Sequence, residues 1–482
     1  MKFFVKTYGC QMNERDSDAV TALLVRRGHV RVAREDAADV ILVNTCSVRG
    51  KAEDKAVGKL GLLTAHRRGE RPRIVGAMGC MVERLQADIF ARVPGLAFAV
   101  GTHNLAALPA VLDRAAAGEQ RILAVGQDGE QGRDDLSEHA DRAESAFINI
   151  LYGCNRRCSY CIVPAVRGPE WSRAADRVVA EARSLALAGT REITLLGQSV
   201  MAYGLRTQVW PAGHVSPGGY TEPLTRLLEA LAAIEGLVRL RFTSGHPSGC
   251  SAELARAMAE LPLVCEHLHL PLQSGSDRIL RSMRRGYTTD DYRAAVARLR
   301  AAVPSLALTT DIIVGFPGEG PDDFAMTRDF AEEIGFDNAF IFKYSPRPGT
   351  PSAAWADDVP AEEKLRRNRI LLEDQDVRGL AINRQQLGCR VEVLVEGVSL
   401  RDESRWAGRS RTNKIVIFEP VAGVRPGDLV NVRIQDARPQ TLYGVVEDAV
   451  VPVQSVWPAG VDAVGPRREQ GRLVEMIGAS MP

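Results

Sequence analysis

Over roughly the first hundred residues, short apolar runs each end in a small residue and a cysteine, and a helix-period stretch follows. Lys2–Thr7 alternates like a strand and leads to Gly9-Cys10, with a helix predicted over Asp16–Arg27. Asp39–Asn44 is apolar enough for a buried strand and leads to Thr45-Cys46, with a helix from about Gly50. Arg73–Ala77 repeats the pattern and leads to Gly79-Cys80. Strands alternating with helices predict a doubly wound parallel sheet, whose functional edge lies beyond the carboxyl ends of its strands. After a polar, acidic stretch over 126–144 the rhythm resumes with six more units. Their strands end at Gly153-Cys154, Gly197-Gln198, Thr243-Ser244, Gln273-Ser274, Gly315-Phe316 and Ser345-Pro346. Such repetition predicts a full or partial β/α barrel with its site in the loops after the strands. Beyond about Asp376 short strands and turns predict a small β-barrel. The expected layout is α/β: a first domain over 1–118, a linker over 119–139, a core over 140–375, a β-barrel over 376–449 and a tail over 450–482.

Composition narrows the function classes only modestly. The chain has 482 residues, with 61 Lys and Arg against 60 Asp and Glu. A net charge of +1 argues against a strongly basic protein, though a local basic patch suffices to hold nucleic acid. No apolar run approaches the length of a membrane span, and the N-terminus lacks the pattern of a signal peptide, so a cytoplasmic location is expected. The Gly/Pro-rich insert 204–219 reads as a mobile surface loop.

Cysteine placement changes the picture more. Of nine cysteines, three fall within Cys154-Asn-Arg-Arg-Cys158-Ser-Tyr-Cys161. Clustered thiolates suit iron–sulfur and zinc alike, but structural zinc wants a fourth ligand, usually from a second CxxC pair, and this chain has none. A cubane cluster held by three thiolates leaves one iron open to an exogenous ligand. Cys10, Cys46 and Cys80 stand at equivalent points of three strand–turn units, 36 and 34 residues apart, and read as ligands of a second such cluster. Cys250, Cys265 and Cys389 have no such partners and read as ordinary thiols.

The spacing around Cys154 is similar to the signature of radical S-adenosylmethionine (SAM) enzymes. Tyr8-Gly-Cys-Gln-Met-Asn13, Asn44-Thr-Cys-Ser-Val-Arg49, His269-Leu-Pro-Leu-Gln-Ser-Gly-Ser276, Asp311-Ile-Ile-Val-Gly-Phe-Pro-Gly-Glu319 and Tyr344-Ser-Pro-Arg-Pro-Gly-Thr-Pro351 resemble the methylthiotransferase family within that group. The resemblance covers about residues 1–448 and implies a C-terminal TRAM domain that binds RNA. It further implies two [4Fe–4S] clusters, Cys154, Cys158 and Cys161 holding the SAM-cleaving one and Cys10, Cys46 and Cys80 one that handles sulfur. Two SAM molecules would be used per turnover. Gln11-Met12-Asn13 and the turn Gly408–Lys414 resemble the branch that modifies isopentenyl-adenosine in tRNA. The alternatives are the branches acting on threonylcarbamoyl-adenosine in tRNA or on a ribosomal-protein aspartate. Other partners implied are an electron donor such as flavodoxin or ferredoxin and a sulfur donor, with the protein a monomer.

Gln198, Ser244, Gln273, Ser274 and Gly315, at barrel strand ends, are the candidate SAM contacts. Arg167 and Arg173 are candidates for a carboxylate or phosphate, and Arg401, Arg405, Arg409, Arg411 and Lys414 for the tRNA backbone. Four positions depart from the family's pattern: Ser199 replaces an Asn, Ser244 a Thr, Gly245 a Ser and Ala174 a Pro.

Overall fold

A computed structural model describes residues 1–47, 50–65, 73–126, 136–140 and 143–450. Most of the polar 126–144 stretch, Val48 and Arg49 of the second cysteine segment, and nearly all of the tail lie outside these residues.

The first domain is a six-stranded parallel sheet in the order β2-β1-β3-β4-β5-β6. Its strands are β1 (Lys2–Thr7), β2 (Val30–Arg31), β3 (Val40–Thr45), β4 (Ile74–Gly79), β5 (Phe98–Val100) and β6 (Ile122–Ala124). Strand β3 is buried at every position, as a central parallel strand covered on both faces must be. Val20 and Leu24 of the helix Gln11–Arg26, with Leu108 and Leu112 of Leu108–Ala116, cover one face. Ala56 and Leu60 of Gly50–Thr64, with Val82 and Leu85 of Cys80–Leu85, cover the other. The first helix starts at Gln11, five residues earlier than its apolar period predicts, because the Cys10 carbonyl accepts from the Asn13 and Glu14 amides at 2.9 and 3.1 Å. Chain order reverses about β1, so β1 and β3 flank the topological switch point, where such sheets place their sites, and β4 lies next to β3.

The second domain is a partial barrel of six parallel strands. One side is β7 (Ser145–Asn149), paired to β10 (Glu192–Leu196), which in turn pairs with β11 (Arg239–Phe242). Between β7 and β10, β8 (Leu151–Tyr152) and β9 (Trp171–Ser172) form a short antiparallel ribbon beside the Cys154 loop. The other side is β12 (His267–His269), β13 (Ala307–Val314) and β14 (Asn338–Lys343). A parallel bridge between Leu240 and Val264 joins the halves. The insert 204–219 is packed, contrary to the mobile loop expected. Trp210 stacks on His214 at 4.2 Å with Arg226 over its ring at 4.9 Å, and Ser216 and the Gly218 amide donate to Glu229.

The third domain is a closed five-stranded barrel, β15 (Arg390–Val398), β16 (Trp406–Ser410), β17 (Ile415–Phe418), β18 (Leu429–Ala437) and β19 (Thr441–Val450). One helix, Ala361–Arg384, runs through the boundary expected at 375/376 and joins the second domain to the third. The β-barrel docks on the amino ends of the β/α-barrel strands, opposite the cysteines. Fully buried Arg239 donates to the carbonyls of Arg409 (2.6 Å) and Glu392 (3.2 Å), and Arg241 to those of Ser410 and Arg411 (both 2.7 Å).

Candidate active site

The first cysteine triplet is assembled by close backbone approach and two buried amides. Gly9 has φ +148°, and a Cβ there would lie 2.7 Å from Asn13 Oδ1 and 3.0 Å from Cys46 Cβ. Gly79 has φ +100°, and its Cβ would lie 2.4 Å from Asn44 Oδ1. Only glycine lets these loops close on one another. Asn13 Nδ2 donates to Asn44 Oδ1 at 2.9 Å and to the Thr45 carbonyl at 3.0 Å. Asn44 Nδ2 answers to the Asn13 carbonyl at 2.8 Å and to Ser17 Oγ at 2.9 Å. Cys10, Cys46 and Cys80 are thereby gathered at the ends of β1, β3 and β4.

The second triplet lies in the loop after β8. The Cys154 amide donates to the Gly168 carbonyl at 3.1 Å, and Gly153, at φ +72°, has no room for a Cβ against the Pro169 carbonyl. Ser159 anchors the loop's middle, its amide to the Met283 carbonyl (3.0 Å) and its hydroxyl to the Ser282 carbonyl (2.8 Å). Tyr160 packs edge-on to Phe316 of the loop after β13. Burial pushes the Cys161 thiol up to about 12, so a bound metal is what would hold it as thiolate.

The two triplets face each other across the domain junction. Cys80 packs on Ile162 and Val166, directly after Cys161, while Cys10 and Met12 pack on Tyr152 and Leu196. Arg167, 5% exposed, crosses the junction: its Nε donates to Cys80 Sγ at 3.3 Å and its Nη2 pairs with Asp16 at 2.8 Å. Arg285 plays the same part at the other triplet, donating to Cys158 Sγ at 3.4 Å, to Tyr287 at 3.3 Å and to the Pro271 carbonyl at 3.3 Å. Sequence reading placed Arg167 on a ligand and missed Arg285, which lies 124 residues from Cys161. Arg173 is likewise engaged within the fold, at 2.7 Å from Glu181 and 2.9 Å from the Asn149 carbonyl.

All nine cysteines are unpaired. Among the described residues no three His, Cys, Asp or Glu side chains converge as ligands of one ion do. Three thiols to a set, with a guanidinium on one sulfur of each, are the donor type an iron–sulfur cluster takes.

The candidate SAM contacts divide. Gln198 Oε1 is buried with no hydrogen-bond partner among the described residues, so a ligand donor would satisfy it. Ser244 (φ +58°) and Gln273 (φ +73°) are non-glycine residues in the left-handed region at neighbouring strand ends, where strain marks functional sites. Gly315 has φ +69°, and a Cβ there would lie 2.3 Å from Lys364 Cγ; its amide donates to Glu319, which Arg367 holds. The Ser274 hydroxyl, by contrast, meets Thr327 Oγ1 at 3.3 Å and the Ser276 amide at 3.2 Å, so it serves its own turn. His246 stays neutral, because burial and then the nearby Arg285 and Arg156 lower it to about 3.

Residues 148–331 match the radical SAM superfamily, residues 2–101 the uncharacterized protein family UPF0004 and residues 384–446 the TRAM domain. The fold is similar to that of a radical S-adenosylmethionine methyltransferase, TsrM, from Kitasatospora setae. With tryptophan and a SAM analogue bound to that protein, the TM-score is 0.54 at 16% identity, over 83% of this chain and 79% of the other. Three domains of this order, with a triplet on each side of the junction, define a radical-SAM enzyme of two cysteine sets. The chain is 42% identical over 460 residues to the tRNA-2-methylthio-N(6)-dimethylallyladenosine synthase of Akkermansia muciniphila, covering 92% of this chain and 98% of the relative. To that of Carboxydothermus hydrogenoformans it is 41% identical over 446 residues, covering 92% and 99%. The chain belongs to the family of tRNA-2-methylthio-N(6)-dimethylallyladenosine synthases.

Proposed function

We infer that the protein is a radical-SAM methylthiotransferase that replaces the hydrogen on carbon 2 of N6-isopentenyl-adenosine in tRNA, beside the anticodon, with a methylthio group. When bound, two [4Fe–4S] clusters and SAM supply the 5′-deoxyadenosyl radical that removes this unactivated hydrogen, and the sulfur and methyl that replace it. In this reading Cys154, Cys158 and Cys161 hold the cluster at which SAM is cleaved, and Cys10, Cys46 and Cys80 hold the one that carries sulfur. Arg285 and Arg167 hydrogen-bond one thiol of each set and offset its negative charge where water is excluded. Gln198 accepts from SAM, Ser244 and Gln273 flank it, and Gly315 keeps the backbone close to it. The target adenosine must leave its stack to enter the junction.

The observation that carries this reading is Arg167, which follows Cys161 by six residues and reaches Cys80 of the other triplet. A base lying between the triplets can meet both the radical and the sulfur.

The TRAM domain holds the tRNA backbone, but not with the whole turn that its sequence suggests. Arg411 is bound to Glu266 at 2.8 Å and to the Pro262 and Val264 carbonyls at 2.9 Å, Lys414 to Asp337 at 2.7 Å and Arg409 to Glu396 at 3.0 Å. Half-buried Arg405 and exposed Arg438, paired more loosely with Asp402 (3.6 Å) and Asp436 (3.3 Å), border an open cleft of about 700 Å³ that also carries Glu419 and Tyr443, and they offer cations and a stacking ring to RNA. The reaction needs a one-electron donor, flavodoxin or ferredoxin, and a sulfur donor, and we place it in the cytoplasm with the protein a monomer. No helix among the described residues is long and apolar enough to cross a membrane.

Mass spectrometry of tRNA nucleosides from a deletion strain tests the substrate. Loss of 2-methylthio-isopentenyl-adenosine with 2-methylthio-threonylcarbamoyl-adenosine intact is expected; the opposite pattern would move the enzyme to the sister branch.

A further inference from the structure

An open cleft of about 580 Å³ lies beside the Cys154 loop, and Cys154 forms part of its wall. It is lined by none of the other five cysteines proposed as ligands, and by no residue of the first domain. Its rim carries Arg156 and Arg157 from the loop itself and Arg206 from the segment after β10. Glu170, whose side chain is 8% exposed, lies 3.4 Å from Arg206 and 3.3 Å from Asn155 Nδ2, and offsets one of the three positive charges. Arg157 is exposed and makes no hydrogen bond or ion pair among the described residues. Leu205, next to Arg206, is 65% exposed and adds an apolar contact to the cationic rim.

We propose that this cleft is the docking face for an acidic one-electron redox protein, carrying flavin or an iron–sulfur centre. The proposal rests on the radical-SAM reading above and names the partner of that site. A target nucleotide has to reach both triplets, whereas an electron has to reach only the SAM-cleaving one. A cleft that touches Cys154 alone meets the second requirement and not the first. The cationic rim is complementary to an acidic partner and steers its approach. The electron balance is simple: the reduced donor is oxidised by one electron for each SAM whose sulfur–C5′ bond is cleaved to methionine and the 5′-deoxyadenosyl radical.

The test uses reconstituted holoenzyme and an acidic flavodoxin as the probe. Calorimetric titration with oxidised flavodoxin, which involves no turnover, gives Kd at low and high salt. The double variant R157E/R206E is expected to weaken binding about tenfold or more at low salt and to flatten its salt dependence. R157Q/R206Q, which removes the charge without reversing it, is expected to fall between. SAM cleavage driven by dithionite is expected to stay within about twofold of wild type, while cleavage driven by reduced flavodoxin falls about tenfold. Unchanged flavodoxin affinity in R157E/R206E would overturn the proposal. So would weakened tRNA binding with flavodoxin binding intact, which would make the cleft an RNA mouth. Failure of the wild-type enzyme to cleave SAM with dithionite would instead strike the radical-SAM reading itself.

Discussion

At Cys80 a side chain from the barrel completes a site built by the first domain. Arg167 is almost fully buried, and so is Asp16, its carboxylate partner. Removing the guanidinium leaves that carboxylate buried without its ion pair, a change that costs about 3–5 kcal/mol. R167M is expected to lose about that much stability in urea unfolding, and R167M/D16N to recover a large part of it. A double-variant loss equal to the sum of the R167M and D16N losses would show that the pair is not coupled. Gly79 makes a second prediction. An added methyl at φ +100° would strike Asn44 Oδ1, one of the amides that gather the three loops. G79A is expected to reduce reconstituted iron from about eight to about four per chain, measured by iron assay, with SAM cleavage retained. Iron still near eight would mean that the loops tolerate displacement. The glycines before Cys10 and Cys80 are plain in the sequence. The amides and arginines that hold the thiols are not, because Asn13 with Asn44, Arg167 with Cys80 and Arg285 with Cys158 meet only through the fold.

The element that departs most from its sequence reading is the turn Gly408–Lys414. A run of basic residues on a β-barrel turn suggests a surface for phosphate. Folding places that turn under the β/α barrel instead, where Arg239 and Arg241 need carbonyl acceptors and Glu266 and Asp337 need cations. A buried arginine demands partners, and here the backbone of the turn supplies them. R411A is therefore expected to lower stability by about 1–3 kcal/mol in urea unfolding and to leave the salt dependence of tRNA binding unchanged. R438A is expected to reduce the slope of log K against log salt by about 1, with little change in stability. The reverse assignment of these two effects would return the turn to the RNA surface. Element types and order were legible, because period and turn residues are local. The docking face of the third domain was not, since charge alone does not tell a phosphate from a neighbouring acid.

Across the whole molecule, the junction between the first two domains is riveted by a buried ionic group. Arg15 of the first helix lies 3.2 Å from Glu181 of the second domain, which also binds Arg173 at 2.7 Å and His139 at 2.8 Å. Burial alone would raise the Glu181 carboxyl, but Arg173, the hydrogen bond from His139 and Arg15 together hold it down to about 2. A depressed carboxyl stabilises the fold fully above its unfolded value near 4.5, and that contribution is lost as pH falls toward 2. E181Q is expected to be less stable at pH 7 and to lose less stability than wild type between pH 5 and pH 3, read by thermal unfolding. Identical pH profiles would mean that the rivet does not contribute. Three domains and two triplets were legible because cysteine spacing and strand rhythm survive in one dimension. The meeting of the triplets depends on which faces the domains present, and Arg15, Glu181 and Arg173 fix that only in the folded chain. The division of labour between the triplets is the central claim, and one measurement on reconstituted protein with isopentenyl-adenosine tRNA tests it most directly. The variant C10A/C46A/C80A should still convert SAM to 5′-deoxyadenosine while forming no 2-methylthio product. Methylthiolated tRNA from that variant, or loss of 5′-deoxyadenosine with its Cys154 cluster intact, would contradict the account.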